Sequence, residues 1–191
     1  MHPSIERMIG QTLGSIRAGD RYLAWNSPAL LNVPESIVLT SPAFAANTAI
    51  PLRYAAAGIG ENISPALEWS GVPASAAELV LVMQDPDAPL PRPIVHVLAT
   101  GIPPQWESLP EGILSRSTDG AVRLGRGSFG RRGYAGPRPV RGHGVHRYVF
   151  QIIAVDRPLV LTAPPDLATV LTSIAGHAVA RGRLIGTFER P

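Results

Sequence analysis

Apolar residues follow two spacings along the chain, which separate a helical N-terminal segment from a strand-rich remainder. Between Ser4 and Arg17 they recur every three or four residues, which predicts one amphipathic helix that stops near Gly19. The apolar positions of this helix are Ile5, Met8, Ile9, Leu13 and Ile16. From Ser36 onward the apolar runs are short and bounded by Pro, Gly, Asn or Asp, a pattern typical of strands joined by loops.

The second part of the chain contains six runs with strand character and one further helix. The predicted strands are Ile37–Thr40, Ile50–Tyr54, Leu79–Gln84, Ile94–Thr100, Arg147–Asp156 and Arg183–Glu189. Asp166 is a good N-cap for a helix. The apolar face of that helix is predicted to consist of Leu167, Val170, Leu171, Ile174 and Ala178. Ser115–Val145 is long and rich in Gly, Arg and Pro, so it is not expected to pack as a core element and is predicted to be a functional or wrapping loop.

This order of elements predicts a mainly β fold. Many strands, few helices and no alternation of strand and helix indicate an antiparallel β-sandwich with peripheral helices. We divide the chain into an N-terminal helical arm, residues 1–35, and one domain, residues 36–191. The apolar stripe of the arm must be covered either by the domain or by a second copy of the chain, so a homodimer is one expectation.

Composition excludes several kinds of chemistry. The chain has 191 residues, of which 45% are hydrophobic and 16% charged, as expected for a globular domain. It has no cysteine and no lysine, so all 17 basic residues are Arg. Disulfides, thiolate nucleophiles, Cys-bound metals, a P-loop lysine and lysine Schiff bases are therefore excluded. We predict no cofactor.

Charge is uneven along the chain. Residues 1–115 hold 5 Arg against 10 acidic residues, and residues 116–191 hold 12 Arg against 4. A basic half can bind nucleic acid, but aromatic residues are only 6% of the chain and the arginines lie among Gly and Pro without regular spacing. Gly125–Gly130 matches GxGxxG, yet the residues that follow cannot continue a helix, so it does not predict a dinucleotide site. We predict no nucleic-acid binding.

Targeting and membrane signals are weak. The N-terminus lacks the apolar stretch of a signal peptide, and no apolar run approaches the ~20 residues of a membrane span. These features predict a cytoplasmic protein without a transmembrane segment.

Two carboxylates follow the apolar run Leu79–Met83, in the sequence Asp85-Pro86-Asp87-Ala88-Pro89. Each proline forces the residue before it away from the helical conformation, so Asp85 is held by a stiff backbone. A simple Asp-Pro turn and a functional site at the end of the strand are both consistent with this pattern.

Three histidines also stand out. His96 interrupts an apolar strand and shares a face with Ile94 and Leu98, so its ring is expected to point inward and to need a partner, with Asp85 or Asp87 as candidates. A satisfied core histidine is the alternative. His143 and His146 are three residues apart and, with these aspartates, could suit a metal. The absence of sulfur ligands and of an HExxH helix argues against it, so no metal site is predicted.

Taken together, these motifs resemble the phosphatidylethanolamine-binding protein (PEBP) family, in particular its bacterial, Raf-kinase-inhibitor-like branch. The resemblance rests on the Asp85–Pro89 motif, a histidine on the next strand, and Gly144-Val145-His146-Arg147-Tyr148. It also includes Asn62–Trp69, Gly71–Pro73 and Tyr134–Pro137. The similarity extends from about Ser36 to Arg190.

The resemblance implies a large antiparallel sheet packed on a smaller sheet, with a small pocket for anions such as phosphate or a phospholipid head group. The pocket residues it implies are Asp85, Asp87, His96, His146 and Tyr148, with Gly136 and Pro137 at the rim. It also implies a binding or regulatory protein, in some cases of kinases or proteases. Two departures lie at the pocket mouth: Pro93-Ile94-Val95 before the histidine, and Gly136-Pro137-Arg138-Pro139-Val140 in the loop.

The main prediction is therefore a non-enzymatic protein that binds a small anion. Two imidazoles and a tyrosine hydroxyl can donate hydrogen bonds to an anion, with an affinity that falls as the histidines lose their protons. One alternative is a hydrolase with His96 or His146 as general base and an aspartate to orient it. Another is a protein-interaction module in which Arg131 and Arg132 bind an acidic partner.

Overall fold

Two antiparallel sheets form the core of the protein, which is seen in a computed structural model that describes residues 2–115, 120, 122–161 and 163–191. The helices in this part of the chain are α1 (Pro3–Leu13) and α2 (Leu167–Ile174). The strands are β1 (Val38–Thr40), β2 (Leu67–Ser70), β3 (Glu78–Asp85), β4 (Ile94–Ile102), β5 (Ser108–Leu109), β6 (Arg123–Leu124), β7 (His146–Val155) and β8 (Ala178–Phe188). The predicted mainly β fold, a large sheet with a smaller one and peripheral helices, is confirmed.

The larger sheet has the strand order β6-β4-β3-β7-β8 and places β3 at its centre. Every residue of β3 is buried, as its continuous apolar run predicts. Leu79, Leu81 and Met83 point toward the smaller sheet, which has the order β1-β2-β5, and share one core with its Leu67 and Trp69. This central position of β3 brings the ends of β4 and β7 to either side of Asp85.

The opposite face of the larger sheet has its own hydrophobic layer. Val80 and Val82 of β3 contact Val170 and Ile174 of α2, together with the buried Leu30 from the N-terminal segment. Alternate residues of β3 therefore serve two different layers, because successive side chains of a strand point to opposite faces.

Helix α1 is shorter than predicted and packs through its backbone. His2 caps its first turn, Pro3 begins it, and it ends at Leu13 instead of Arg17. Gly10 is buried against the Arg141 carbonyl, where a Cβ atom would overlap the backbone. The apolar stripe is largely uncovered, since Met8 is 62% exposed. The division of the chain after residue 35 and the homodimer remain predictions.

Two secondary-structure predictions are wrong. Ile50–Tyr54 is not a strand: Pro51 lacks a backbone N–H, its carbonyl accepts from the Tyr54 amide, and Leu52–Tyr54 forms a 3₁₀ turn. Ala178 is not on a helix, because α2 ends at Ile174, Gly176 has a positive φ, and β8 begins at Ala178.

The prediction that Ser115–Val145 stays outside the core is also wrong. Leu124 pairs with β4 as part of β6, and Val122, Leu124 and Tyr134 are buried in the main core. Residues 116–119 and 121 of this segment lie outside the described residues. Gly and Pro allow the segment to follow the sheet closely, so its apolar side chains reach the core.

None of the helices within the described ranges is long and apolar enough to cross a membrane.

Candidate functional site

The predicted site residues meet at one end of the larger sheet. Asp85 ends β3, His96 lies in β4, and His146 and Tyr148 lie at the start of β7. Because β3 pairs with both β4 and β7, these residues are neighbours although up to 63 positions separate them in sequence. The four side chains are buried. Sheet pairing therefore brings together residues that the sequence separates.

Asp85 and His146 form a buried pair. Oδ2 of Asp85 lies 2.8 Å from Nδ1 of His146, and Oδ1 accepts a hydrogen bond from the Asp87 amide at 2.8 Å. Their side chains are 3% and 1% exposed. Both carboxylate oxygens are thus occupied, and the ring orientation of His146 is held by Asp85.

His143 accepts a hydrogen bond from His146, and its other contacts determine this direction. Nε2 of His143 lies 2.8 Å from the Leu13 carbonyl, which can only accept, so this nitrogen carries the proton. Nδ1 of His143 accepts from an Arg17 guanidinium N–H at 3.1 Å and faces Nε2 of His146 at 2.7 Å. His146 therefore donates to His143 from Nε2, while its Nδ1 faces Asp85.

This geometry places a proton on Nε2 of both rings and leaves Nδ1 of His143 without one. Burial lowers the pKa of His143, and the positive charges of His146 and Arg17 lower it further. The chain of contacts runs from Asp85 through His146 and His143 to Arg17, in the segment that follows α1.

Asp87 is held by Arg147 and does not face His96. Its carboxylate accepts three hydrogen bonds from Arg147, at 2.8 Å from the backbone amide and 2.9 Å from each of two guanidinium nitrogens. Burial opposes ionisation of Asp87, but the hydrogen bonds and charge of Arg147 outweigh it and lower its pKa. Arg17 donates to the Asp87 carbonyl at 3.1 Å. Asp87 thus fixes the turn instead of offering a free carboxylate.

His96 and Tyr148 each keep a polar atom without a hydrogen-bond partner. Nδ1 of His96 donates to the Ala135 carbonyl at 2.6 Å, so the expected aspartate partner is replaced by a backbone oxygen. Nε2 of His96 and the hydroxyl of Tyr148 are buried and have no hydrogen-bond partner among the described residues. The two rings make an edge-to-face contact with centroids 5.1 Å apart. Because buried polar atoms are nearly always paired, these two adjacent rings are the candidate position for a ligand.

Burial shifts the pKa values of both groups toward their neutral forms. It lowers the pKa of His96, while the nearby Asp85 carboxylate acts in the opposite direction. It raises the pKa of Tyr148, and the charge of Asp85 raises it further. In the neutral state Nε2 of His96 is an acceptor, and it becomes a donor when the ring gains a proton.

Gly136 and Pro137 follow the residue that binds His96. The Gly136 amide donates to Oδ1 of Asn62 at 2.8 Å, and the Pro137 carbonyl accepts from the Ala56 amide at 3.0 Å. A Cβ atom at position 136 would overlap the Tyr54 carbonyl, which explains the glycine. Their assignment as rim residues remains a prediction, with the Gly136 amide engaged by Asn62.

The sequence does not identify every residue that contacts the site. Arg147 belongs to the Gly144–Tyr148 motif, and its position beside His146 is the signal that could have indicated a pairing with Asp87. His143 is predicted only as a possible metal ligand. Within the described ranges, no group of three or more His, Cys, Asp or Glu side chains has the geometry to hold a metal ion. No feature of the sequence indicates that Arg17 and the Leu13 carbonyl contact His143, because these contacts depend on where α1 packs.

Comparisons with known proteins identify the family to which the chain is similar. The family model described as "Phosphatidylethanolamine-binding protein" matches residues 40–189. A UPF0098 protein of Pyrococcus abyssi is 37% identical over 159 residues, which cover 82% of this chain and 87% of the relative. A UPF0098 protein of Methanothermobacter thermautotrophicus is 40% identical over 154 residues, covering 80% and 98%.

Solved structures show the same fold. A PEBP homologue from Chlamydia trachomatis has a TM-score of 0.73 and 31% identity, and the match covers 82% of this chain and 99% of that one. YbcL from E. coli, described as a member of the mammalian PEBP family, has a TM-score of 0.76 and 24% identity, with the same coverage.

One relative bears on cellular location. LppC of Mycobacterium tuberculosis, whose name proposes a lipoprotein, is 39% identical over 157 residues, which cover 81% of this chain and 73% of the relative. A cytoplasmic location of the present chain therefore remains a prediction.

Proposed function

Since this chain belongs to the phosphatidylethanolamine-binding protein family, we propose that it binds a small oxyanion, a phosphate or a phosphodiester head group, at His96 and Tyr148. The observation that carries the proposal is the pair of buried, unpartnered polar atoms on these two side chains. The Tyr148 hydroxyl donates one hydrogen bond to the anion, and Nε2 of His96 donates a second once the ring is protonated.

The surroundings of the two rings favour this arrangement. The negative charge of Asp85 is balanced by His146 at 2.8 Å, so it repels an anion less than a free carboxylate would. Binding of the anion takes up one proton at His96, because the imidazolium is stabilised by the negative ligand.

The contacts of His146 weigh against the alternative of a hydrolase. Nε2 of His146 is directed at His143, so the nitrogen that would act as a general base is already engaged. Nδ1 of His96 is likewise engaged by Ala135, which leaves only Nε2 of His96 for chemistry. We propose a binding protein without catalytic turnover at this site.

Titration calorimetry of the full chain with inorganic phosphate tests the proposal. We expect binding that is weakened about tenfold or more in His96→Gln, which removes the charged donor. The matched control is His177→Gln, since His177 pairs with Asp156 on the surface. Equal affinities for wild type and His96→Gln would contradict the proposal.

Two further ligands refine the test. Glycerophosphoethanolamine carries the phosphodiester of a lipid head group, so tighter binding of this compound than of phosphate would identify the lipid as the source of the anion. Incubation with p-nitrophenyl phosphate tests the alternative, because release of nitrophenol that disappears in His96→Gln would show a hydrolase.

A further inference from the structure

A groove of about 700 Å³ lies on the face of the larger sheet opposite His96 and Tyr148. Its floor includes Gln84 and Val95, and β3 alternates so that Met83 points to the core between the sheets while Gln84 points to the groove. The N-terminal segment 21–28, residues 126–128 and the start of α2 form its walls. Its volume falls within the range of ligand-binding sites.

The groove has apolar walls, and the polar side chain on its floor is already hydrogen-bonded to the protein. Leu23, Pro93 and Leu171 are among the apolar side chains that line it. Oε1 of Gln84 accepts from the Ala24 amide and from Gln151, and its Nε2 donates to the Tyr22 carbonyl. These bonds engage the carbonyl oxygen and one N–H of the buried amide, so most of the polar recognition must come from the rim.

The rim carries guanidinium groups from three separate segments. Arg21 and Arg92 lie over the ring of Tyr22, with their central carbons 5.3 Å and 5.0 Å from the ring centroid. Neither forms an ion pair with a carboxylate of the described residues. Arg126 donates from Nε to the Pro164 carbonyl at 3.0 Å.

Among the described residues that line the groove, Asp166 is the acidic one. It caps α2, accepting hydrogen bonds from the amide and the hydroxyl of Thr169 at 2.9 Å and 2.7 Å, and these bonds, with the charge of Arg126, lower its pKa. Asp166 therefore keeps its negative charge near Arg126, whereas Arg21 and Arg92, which form no ion pair among the described residues, present their positive charge to a ligand. Guanidinium groups bind carboxylates through paired hydrogen bonds, which makes the rim complementary to acidic groups.

We propose that this groove binds an extended acidic segment of a partner protein, in which carboxylate and aliphatic side chains alternate. In an extended chain successive side chains point to opposite sides, so aliphatic residues can contact the apolar walls while carboxylates meet the arginines at the rim. A fatty acid has a single carboxylate, so it can pair with fewer of the arginines on the three separate segments than an acidic peptide can. The proposal is independent of anion binding at His96.

The test uses the full chain and a labelled peptide, acetyl-Glu-Leu-Asp-Leu-Glu-amide, followed by fluorescence anisotropy. We expect saturable binding that weakens about tenfold or more in the double variant Arg21→Gln/Arg92→Gln. It should also weaken as salt rises from about 0.05 to 0.5 M, since exposed charges are screened. Both arginines are exposed, so the fold should persist, which circular dichroism checks.

Matched controls distinguish binding in this groove from non-specific attraction of an acidic peptide to a basic protein. Arg157→Gln, an exposed arginine outside the groove lining, should leave peptide affinity unchanged, as should His96→Gln. The neutral peptide acetyl-Gln-Leu-Asn-Leu-Gln-amide should bind at least about tenfold more weakly. The proposal is overturned if the two peptides bind equally, if Arg157→Gln weakens binding as much as the double variant, or if dodecanoate displaces the peptide at concentrations below the peptide's own Kd.

Discussion

His146 and His143 share a hydrogen bond of 2.7 Å in which His146 is the donor, because the proton of His143 is committed to the Leu13 carbonyl. The imidazole beside the candidate anion site is therefore linked, through one further ring, to the segment that ends α1. Neither residue could be assigned a protonation state from the sequence, since the assignment depends on what lies around each nitrogen.

The first prediction is that Nε2 of His146 carries the proton of the hydrogen bond between the two imidazoles, while Nδ1 of His143 carries none. Two-bond ¹H–¹⁵N correlation spectra should show Nε2 of His146 protonated and Nδ1 of His143 unprotonated. In Arg17→Met the contact to Nδ1 of His143 is lost, yet the proton on its Nε2 should remain because Leu13 still accepts it. An unprotonated Nε2 at His146 would disprove the direction of this hydrogen bond.

A second prediction concerns pH and anion affinity. Burial lowers the pKa of His96, so in the free protein the ring is neutral over a wider pH range than an exposed histidine. An anion that requires the protonated ring must bring a proton with it, so affinity should fall as pH rises, by up to about tenfold per pH unit. Among the charged groups near His96, Asp85 raises the pKa of the ring, whereas His146 and Arg131 lower it.

Sulfate is a suitable probe for this pH dependence, because its charge is constant between about pH 5 and 8, where histidine titrates. Calorimetry across that range should give a decreasing affinity for wild type and a flat, weaker profile for His96→Gln. A flat profile for wild type would remove His96 protonation from the mechanism.

Tyr148 and Tyr134 provide a third, paired prediction. The buried hydroxyl of Tyr148 has no partner, so Tyr148→Phe should leave the free energy of unfolding unchanged or raise it by up to about 1 kcal/mol, while anion affinity falls. The Tyr134 hydroxyl donates to the Tyr54 carbonyl at 2.9 Å, so Tyr134→Phe should lower that free energy by about 1 kcal/mol. Urea unfolding measures both. A clear loss of stability in Tyr148→Phe would mean that its hydroxyl is structural.

The Asp87–Arg147 pair yields a fourth prediction. Asp87→Asn should lower the free energy of unfolding by about 2–3 kcal/mol, because three hydrogen bonds to a charged partner are weakened in a buried setting. Asp20→Asn is the matched control: Asp20 contacts the same arginine at 3.1 Å but is half exposed, so the loss should stay below about 1 kcal/mol.

The same pair makes wild-type stability depend on pH. The pKa of Asp87 is lowered in the folded state, so its contribution is fully present above the unfolded value of about 3.9 and is lost as pH falls through the folded pKa. Chemical unfolding at several acidic pH values should show a smaller dependence on pH for Asp87→Asn. Equal dependence in the two proteins would contradict this role.

A fifth prediction concerns self-association. Ile5 and Met8 of α1 are 49% and 62% exposed, so pairing of this helix between two copies would bury apolar surface. Sedimentation of the full chain is expected to show a dimer, and Ile5→Glu/Met8→Glu a monomer. Arg7→Glu changes the charge of the same helix at an exposed position outside the predicted stripe and should leave the dimer intact. The hypothesis fails if wild type and the double variant have the same mass.

The sequence by itself determined the fold class and singled out most residues of the candidate site. Continuous or alternating apolar runs such as Leu79–Met83 predict strands because the pattern depends only on local geometry. The spaced motifs around Asp85, His96 and His146 were sufficient to indicate the family. Strands without such a pattern were missed: β2 has only four residues, and β5 and β6 have two each.

Only the tertiary structure decided how the site residues are partnered. Both Asp85 and Asp87 were candidate partners for His96, yet Asp85 binds His146, Asp87 binds Arg147, and His96 binds the Ala135 carbonyl. The partner of each side chain depends on which backbone atoms and side chains from distant segments lie beside it in the folded protein. A hydrogen bond requires a particular distance and direction, and a residue's position in the sequence specifies neither until the sheet is formed.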